Sequence, residues 1–109
     1  DREADPLWYM ARVQNHSVCP MGMDLRLAAM KPLIEKLGID GVVFASNRSC
    51  KVFSVMQMDE ERHIKEKLGI PAVMIDVDHA DVRKFSQETV YVRLEALLEN
   101  IDARRAVHA

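Results

Sequence analysis

The chain has 109 residues, of which 49% are hydrophobic and 29% are charged, and its formal net charge is -2. This length supports one domain, and the balance of apolar and charged residues is that of an ordinary globular protein. The charge gives no electrostatic basis for nucleic-acid binding, and no apolar run approaches the roughly 20 residues that span a bilayer, so we expect neither partner.

The ends and the cysteines of the sequence suggest a compartment. The chain begins at Asp1 rather than at a methionine and has no signal peptide, so we expect a fragment or a processed product of a cytoplasmic protein. The two cysteines, Cys19 and Cys50, do not form the pattern of a disulfide framework. Free thiols in a reducing cytosol are the simpler interpretation.

Two helices are predicted before the first strand. The segment DPLWYMARVQ (5–14) has Pro6 in its first turn, where proline is tolerated. The segment DLRLAAMKPLIEKLG (24–38) has Pro32 well inside it, which predicts a kink or a break.

Two similar segments, EKLGIDGVVF (35–44) and EKLGIPAVMI (66–75), each run from a helix end through a glycine into an apolar stretch. Gly38 and Gly69 suit the left-handed position that ends a helix. The apolar runs are continuous, which favours strands near 41–46 and 72–77 of a parallel sheet covered on both faces. Two strands make a poor sheet, so the chain either pairs with a copy of itself or belongs to a longer subunit.

The remaining segments complete an α/β pattern. Between the strands, Ser54 and Gln57 have the spacing of a capping box, and the intervening helix predicts a right-handed crossover. A last helix begins near Ser86, and the terminal 102–109 stretch is expected to fray. We expect one domain over 1–109, an incomplete part of a Rossmann-like or flavodoxin-like doubly wound sheet. The apolar face of the last helix is predicted from Val90, Leu94, Leu97, Leu98 and Ile101.

A site is expected where the two strands end. In open α/β sheets, sites lie beyond the carboxyl ends of the strands, which here are the loops 46–54 and 76–83. Cys50 precedes a predicted helix and stands between Arg48 and Lys51, and both features favour a thiolate. A buried structural cysteine is the alternative.

A thiolate can act as a nucleophile or as a metal ligand, and the sequence leaves both open. A cysteine-phosphatase loop would need an arginine where Met56 stands, and a papain-like pair would need a positioned histidine. Of the four histidines only His79 is predicted near the loops, where a solvated role is the simpler interpretation. The other three are His16, His63 and His108.

The acidic loop DVDHAD (76–81) resembles a site for a hard metal ion only superficially. It lacks the spaced carboxylates and the glycine of a calcium loop. Aspartates at such junctions usually cap helices or pair with arginine, so a structural role is expected around Asp81 and Arg83.

The sequence as a whole resembles the benzoyl-CoA reductase and 2-hydroxyacyl-CoA dehydratase family, in its C-terminal part. The resemblance lies in DGVVFASNRSCK, SVMQ, GIPAVMIDVDHADVRKFS and RLEALLE, and also in DPLWYMARV, CP and DLR upstream. It looks closer to the reductase branch. Val52, Phe53 and Met56 stand where that family typically has proline, tyrosine and glycine.

The resemblance implies an iron–sulfur subunit. Such subunits carry a 4Fe–4S cluster held by three cysteines, of which Cys50 matches the one from the C-terminal domain, while Cys19 matches a recurring cysteine that is not a ligand. Family members are heteromers of homologous subunits that receive single electrons from an ATP-hydrolysing iron–sulfur activator. The electron enters an acyl-CoA thioester, and either water is lost or an aromatic ring is reduced.

Further roles in the loop follow as hypotheses from the resemblance. Hydrogen bonds that tune the cluster are expected from Ser46, Asn47, Ser49 and Ser54. Arg48 and Lys51 are candidates for stabilising negative charge on thiolate, cluster or thioester.

We expect the full-length parent to be an enzyme, an oxidoreductase or a lyase, and these 109 residues alone to have neither activity nor a stable cluster. Two alternatives are a non-catalytic α/β module and a thiol-redox or cysteine-nucleophile protein.

Overall fold

The computed structural model describes residues 5–17 and 21–108, so Cys19 and the Cys-Pro element lie outside the described residues. The described part forms an α/β arrangement, as predicted, with helices before, between and after two strands. A 3-10 turn at Val82–Lys84 precedes the last helix. The elements are α1 (Pro6–Asn15), α2 (Met23–Leu37), β1 (Val42–Asn47), α3 (Lys51–Ser54), α4 (Gln57–Leu68), β2 (Ala72–Val77) and α5 (Gln87–His108).

The two strands form a small parallel sheet. They pair in register from Val42 opposite Ala72 to Asn47 opposite Val77. Both strands lie within a residue of their predicted positions, and their parallel pairing confirms that part of the interpretation of the continuous apolar runs. The full doubly wound sheet needs more strands than the described residues contain, so it stays a prediction.

Buried apolar residues lie on both faces of the sheet formed by β1 and β2. On one face, Phe44 packs with Ile34 of α2 and Ile64 of α4, and Ile64 is fully buried. On the other face, α5 contacts β2 and buries Leu97. Gly41 permits this approach, because a Cβ at that position would lie 2.7 Å from the Ile101 Cδ1.

The glycine signals at the helix ends are confirmed. Gly38 and Gly69 follow α2 and α4 with φ of 61° and 63°, and the N–H of each donates to a carbonyl of the preceding helix. A left-handed backbone favours glycine, because a side chain would crowd the following carbonyl.

Several predictions about the helices are corrected. The break at Pro32 is wrong, because α2 continues through it. The capping box is also wrong, because Ser54 ends α3 and the side chain of Gln57 turns to the strand, where its Nε2 donates to the Ala45 carbonyl. The last helix begins beside Ser86 as predicted, but it stays helical through residues 102–108 rather than fraying, and Leu98 is 59% exposed.

One expectation about the strands also fails. The continuous apolar run of β1 predicts burial on both faces, yet Val43 is 44% exposed and Ala45 is exposed. The reason is that α5 covers β2 rather than β1. No helix in the described residues is long and apolar enough to cross a membrane.

Candidate functional site

The loop after β1 places Cys50 at the start of α3. The Cys50 N–H donates to the Asn47 carbonyl at 3.0 Å, and the Cys50 carbonyl accepts the Ser54 N–H at 3.0 Å. These bonds fold the loop tightly over the carboxyl end of the strand. Cys50 is a free cysteine of intermediate exposure, so the residue is neither buried in the core nor fully in solvent.

The loops that follow the two strands contact each other, as expected for neighbouring parallel strands. Arg48 and Asp76 form an ion pair of 2.8 Å, and the Ser49 hydroxyl donates to the Asp78 carboxylate at 2.7 Å. The hydroxyl of Ser49, followed by the N–H of Ala80, lowers the pKa of Asp78 below its ordinary 3.8 because both donate to the ionised form. Arg48 and Ser49, which precede Cys50, therefore bind the loop that follows β2.

A buried charged cluster lies under the cysteine loop. Arg26 of α2 and Glu60 of α4 are 5% and 3% exposed and approach to 3.4 Å. The Arg26 guanidinium also lies over the Phe53 ring, 4.7 Å from its centre, and its Nε donates to the Met21 carbonyl. Arg26 thereby connects α2, α4 and the helical turn that begins at Cys50.

Reasoning from the residues did not identify this cluster, although the sequence contains a signal for it. Arg26 lies four residues before Met30 and eight before Ile34, on the buried stripe of α2. Glu60 likewise falls four residues before the buried Ile64. A charge at a core position of a helix usually has a buried partner.

The remaining candidates lie around Cys50 in different settings. Ser46 is 8% exposed, near the end of β1, and Asn47 accepts the Ser49 N–H through its side chain. Lys51 is an exposed residue in the first turn of α3, and Ser54 closes that turn. The structure thus groups all seven predicted loop residues at the carboxyl end of β1.

The acidic loop is organised mainly by its own contacts. Asp81 accepts the backbone N–H of Arg83 and pairs with its guanidinium at 2.8 Å. This ion pair lowers the pKa of Asp81 and raises that of Arg83. His79 is exposed, and the structural role expected for Asp81 and Arg83 agrees with these contacts.

The described residues contain one cysteine, Cys50. They contain no group of three or more His, Cys, Asp or Glu side chains that could hold a metal ion. A cysteine of intermediate exposure on a tight loop suits one coordination position of an iron–sulfur cluster, which several cysteines normally hold. The donor set therefore fits part of a cluster site.

The described residues thus form an α/β arrangement in which Cys50 follows the carboxyl end of one of two parallel strands. The chain belongs to the family of the 2-hydroxyglutaryl-CoA dehydratase D-component, whose model matches residues 1–101. The resemblance found in the sequence is thereby confirmed.

Individual relatives come from both branches of the family. The chain is 42% identical over 74 residues to the alpha subunit of lactoyl-CoA dehydratase from Anaerotignum propionicum, a match covering 68% of this chain and 18% of that protein. It is 32% identical over 81 residues to a subunit of benzoyl-CoA reductase from Thauera aromatica, covering 74% of this chain and 19% of that protein. The chain thus spans about a fifth of the length of the relatives it matches.

Proposed function

We propose that this chain is the C-terminal domain of an iron–sulfur subunit that passes single low-potential electrons to an acyl-CoA thioester. The observation that carries the proposal is the position of Cys50 at the carboxyl end of β1, in a chain that belongs to this family. Two further cysteine ligands would come from outside the described residues, since these offer no complete donor group.

The cluster, when bound, would supply reversible one-electron transfer at low potential. The residues of this chain would hold and shield it. Cys50 would provide a thiolate ligand, while Ser49 and Arg48 keep its loop fixed through Asp78 and Asp76. Backbone and side-chain donors near a thiolate sulfur also tune the potential of such a group.

The charges beside Cys50 suggest how the thioester would be held. Lys51 is exposed next to the cysteine, and the Arg48 side chain is 57% exposed although it pairs with Asp76. Positive groups at a site where negative charge develops stabilise that charge. We propose that Lys51 and Arg48 favour the added electron on the thioester carbonyl.

Two reactions are candidates for the parent enzyme. The resemblance of the sequence to the reductase branch favours reduction of an aromatic acyl-CoA of the benzoyl-CoA type. The 42% identity to a lactoyl-CoA dehydratase subunit favours loss of water from a 2-hydroxyacyl-CoA. We propose a second subunit as a partner because the relatives are named as subunits. The resemblance of the sequence to the family implies an ATP-dependent electron donor as a further partner.

Substitution of Cys50 tests the ligand role. The parent protein is prepared anaerobically, and iron and acid-labile sulfide are measured per subunit. Cys50→Ser is expected to lose most of the iron, because serine replaces a thiolate ligand. Cys19→Ser is the matched control and is expected to keep it. Full iron content in Cys50→Ser would exclude ligation.

The two reactions are separated by supplying the reduced parent complex with either substrate class. Loss of water from a 2-hydroxyacyl-CoA, detected as an enoyl-CoA by mass, would support the dehydratase. A gain of two hydrogens in benzoyl-CoA would support the reductase. A complex that keeps its cluster yet converts neither thioester would contradict the proposed function while leaving Cys50 as a ligand.

A further inference from the structure

One edge of β1 has no strand beside it in the described part of the chain. The Val42 N–H donates to the Pro71 carbonyl at 2.9 Å, and the Arg48 N–H to the Val77 carbonyl at 3.0 Å, so the even-numbered residues of β1 face β2. The N–H and C=O of one residue point to the same side of a strand, and the side alternates. Those of Val43 and Ala45 therefore point to the opposite, open edge.

The side chain of Gln57 occupies one hydrogen-bonding position of this edge, at the carbonyl of Ala45. Its Nε2 donates to the Ala45 carbonyl at 3.3 Å, where the N–H of a neighbouring strand would otherwise bind. Its Oε1 is buried without a hydrogen-bond partner among the described residues. Within residues 5–17 and 21–108, no strand pairs with the N–H and C=O of Val43 or with the N–H of Ala45, and such an edge is a template for another strand.

An apolar cleft lies beside the same edge. It encloses about 420 Å³ and is lined by Ala29 and Met30 of α2, Phe53 of α3 and the side chains of β1. Val43 is 44% exposed in a run otherwise typical of a buried strand. The edge therefore offers both backbone groups and a place for apolar side chains.

The handedness of crossover connections indicates at which edge of β1 a preceding parallel strand would lie. Ile34 of α2 and Ile64 of α4 pack on the same side of β1, in one core with Phe44. Crossovers between parallel strands are right-handed in about 98% of cases. The connection from β1 to β2 runs through α4, on the same face of the sheet as α2. A right-handed connection through α2 into β1 must therefore start from a strand at the opposite edge of β1 from β2, which is the open edge.

We propose that the open edge of β1 receives a third parallel strand, contributed by the part of the same polypeptide that precedes Asp1. The chain covers only 18% and 19% of the lactoyl-CoA dehydratase and benzoyl-CoA reductase subunits, so a protein of their length has most of its residues elsewhere. The strand order is then the new strand, β1 and β2. The inference needs neither a cluster nor a reaction, so it stands or fails separately from the proposed function.

Amide hydrogen exchange at single-residue resolution tests this assignment. The 109-residue chain is compared with the chain that includes the sequence preceding Asp1. Val43 and Ala45 are expected to exchange rapidly in the first and at least about 100-fold more slowly in the second. The Phe44 N–H, which faces β2, is the internal control and is expected to be protected in both.

A matched pair of substitutions separates the two edges. Val43→Pro removes a donor from the open edge, where proline is tolerated only if no strand pairs. It should leave the protection of Phe44 unchanged in the 109-residue chain and abolish that of Ala45 in the longer one. Phe44→Pro removes a donor of the β1–β2 ladder and should reduce protection across β1 in both.

Three results would overturn the proposal. Val43 and Ala45 would exchange equally fast in both chains if no strand binds. Protection in the 109-residue chain that rises with protein concentration would show a second copy at the edge. A mature protein whose N-terminal residue is Asp1 would leave no upstream strand to bind.

Discussion

At the scale of single residues, Arg26 and Glu60 form the most deeply buried ion pair among the described residues. Both side chains are at most 5% exposed, and removal of one partner from a buried pair typically costs about 3–5 kcal/mol because the other charge is left without compensation. Arg26 also donates to the Met21 carbonyl and lies over the Phe53 ring. When Glu60 is replaced, these two contacts still compensate the buried guanidinium in part.

We therefore expect Arg26→Met to lower the free energy of unfolding by about 3 kcal/mol and Glu60→Gln to lower it less. The double variant Arg26→Met/Glu60→Leu should recover much of the loss, since no buried charge remains. Urea unfolding of the wild-type chain and the three variants measures these values. Equal losses in the two single variants, with no recovery in the double one, would contradict a coupled buried pair.

The bond between Ser49 and Asp78 predicts a dependence on pH. The folded pKa of Asp78 lies below its ordinary 3.8, chiefly because the Ser49 hydroxyl donates to the carboxylate. A lowered folded pKa contributes stability that is present above the ordinary pKa and is lost as the pH falls through the folded pKa. The contact between the loops should thus weaken only below about pH 4.

Ser49→Ala should raise the pKa of Asp78 towards its ordinary value, as followed by NMR titration of the carboxyl carbon. Asp81 is the internal control, because its lowered pKa arises first from Arg83. A shift of Asp81 as large as that of Asp78 would indicate that the loop had rearranged.

At the scale of elements, the ends of α2 and α4 and the start of α5 follow local sequence signals, whereas the start of α4 does not. Gly38 and Gly69 end their helices where expected, because a left-handed residue is a local requirement that the sequence states directly. The start of α4 escapes local reasoning, since the side chain of Gln57 binds the Ala45 carbonyl twelve residues earlier. Helix starts that depend on distant partners carry no local signal.

The two glycines give a prediction free of packing effects. A Cβ at either position would meet nothing within 4 Å, so substitution changes only the backbone energy. Gly38→Ala and Gly69→Ala should each cost about 1 kcal/mol, and Gly38→Asn and Gly69→Asn less, because asparagine tolerates this conformation better. Thermal or urea unfolding tests the order, and a larger cost for asparagine than for alanine would contradict it.

At the scale of the whole molecule, the described chain is extended. Its radius of gyration is 17.4 Å, whereas a compact domain of this length has about 13 Å. The α/β arrangement and both strands could be predicted, because apolar runs and glycines are local patterns. The uncovered face of β1 and the exposed α1 could not, since the sequence pattern does not show which neighbours are present.

The position of the core leads to a comparison of two leucines. Leu97 of α5 is 6% exposed, while Leu7 of α1 is 76% exposed and no residue of α1 is buried. Leu97→Ala should lower the free energy of unfolding of the 109-residue chain by about 2–4 kcal/mol, because it removes buried methyl groups and leaves a cavity. Leu7→Ala should change it by less than about 0.5 kcal/mol, since it removes no buried contact. Urea unfolding with an unchanged m-value measures both, and a cost above about 1 kcal/mol for Leu7→Ala would show that α1 packs against the core in solution.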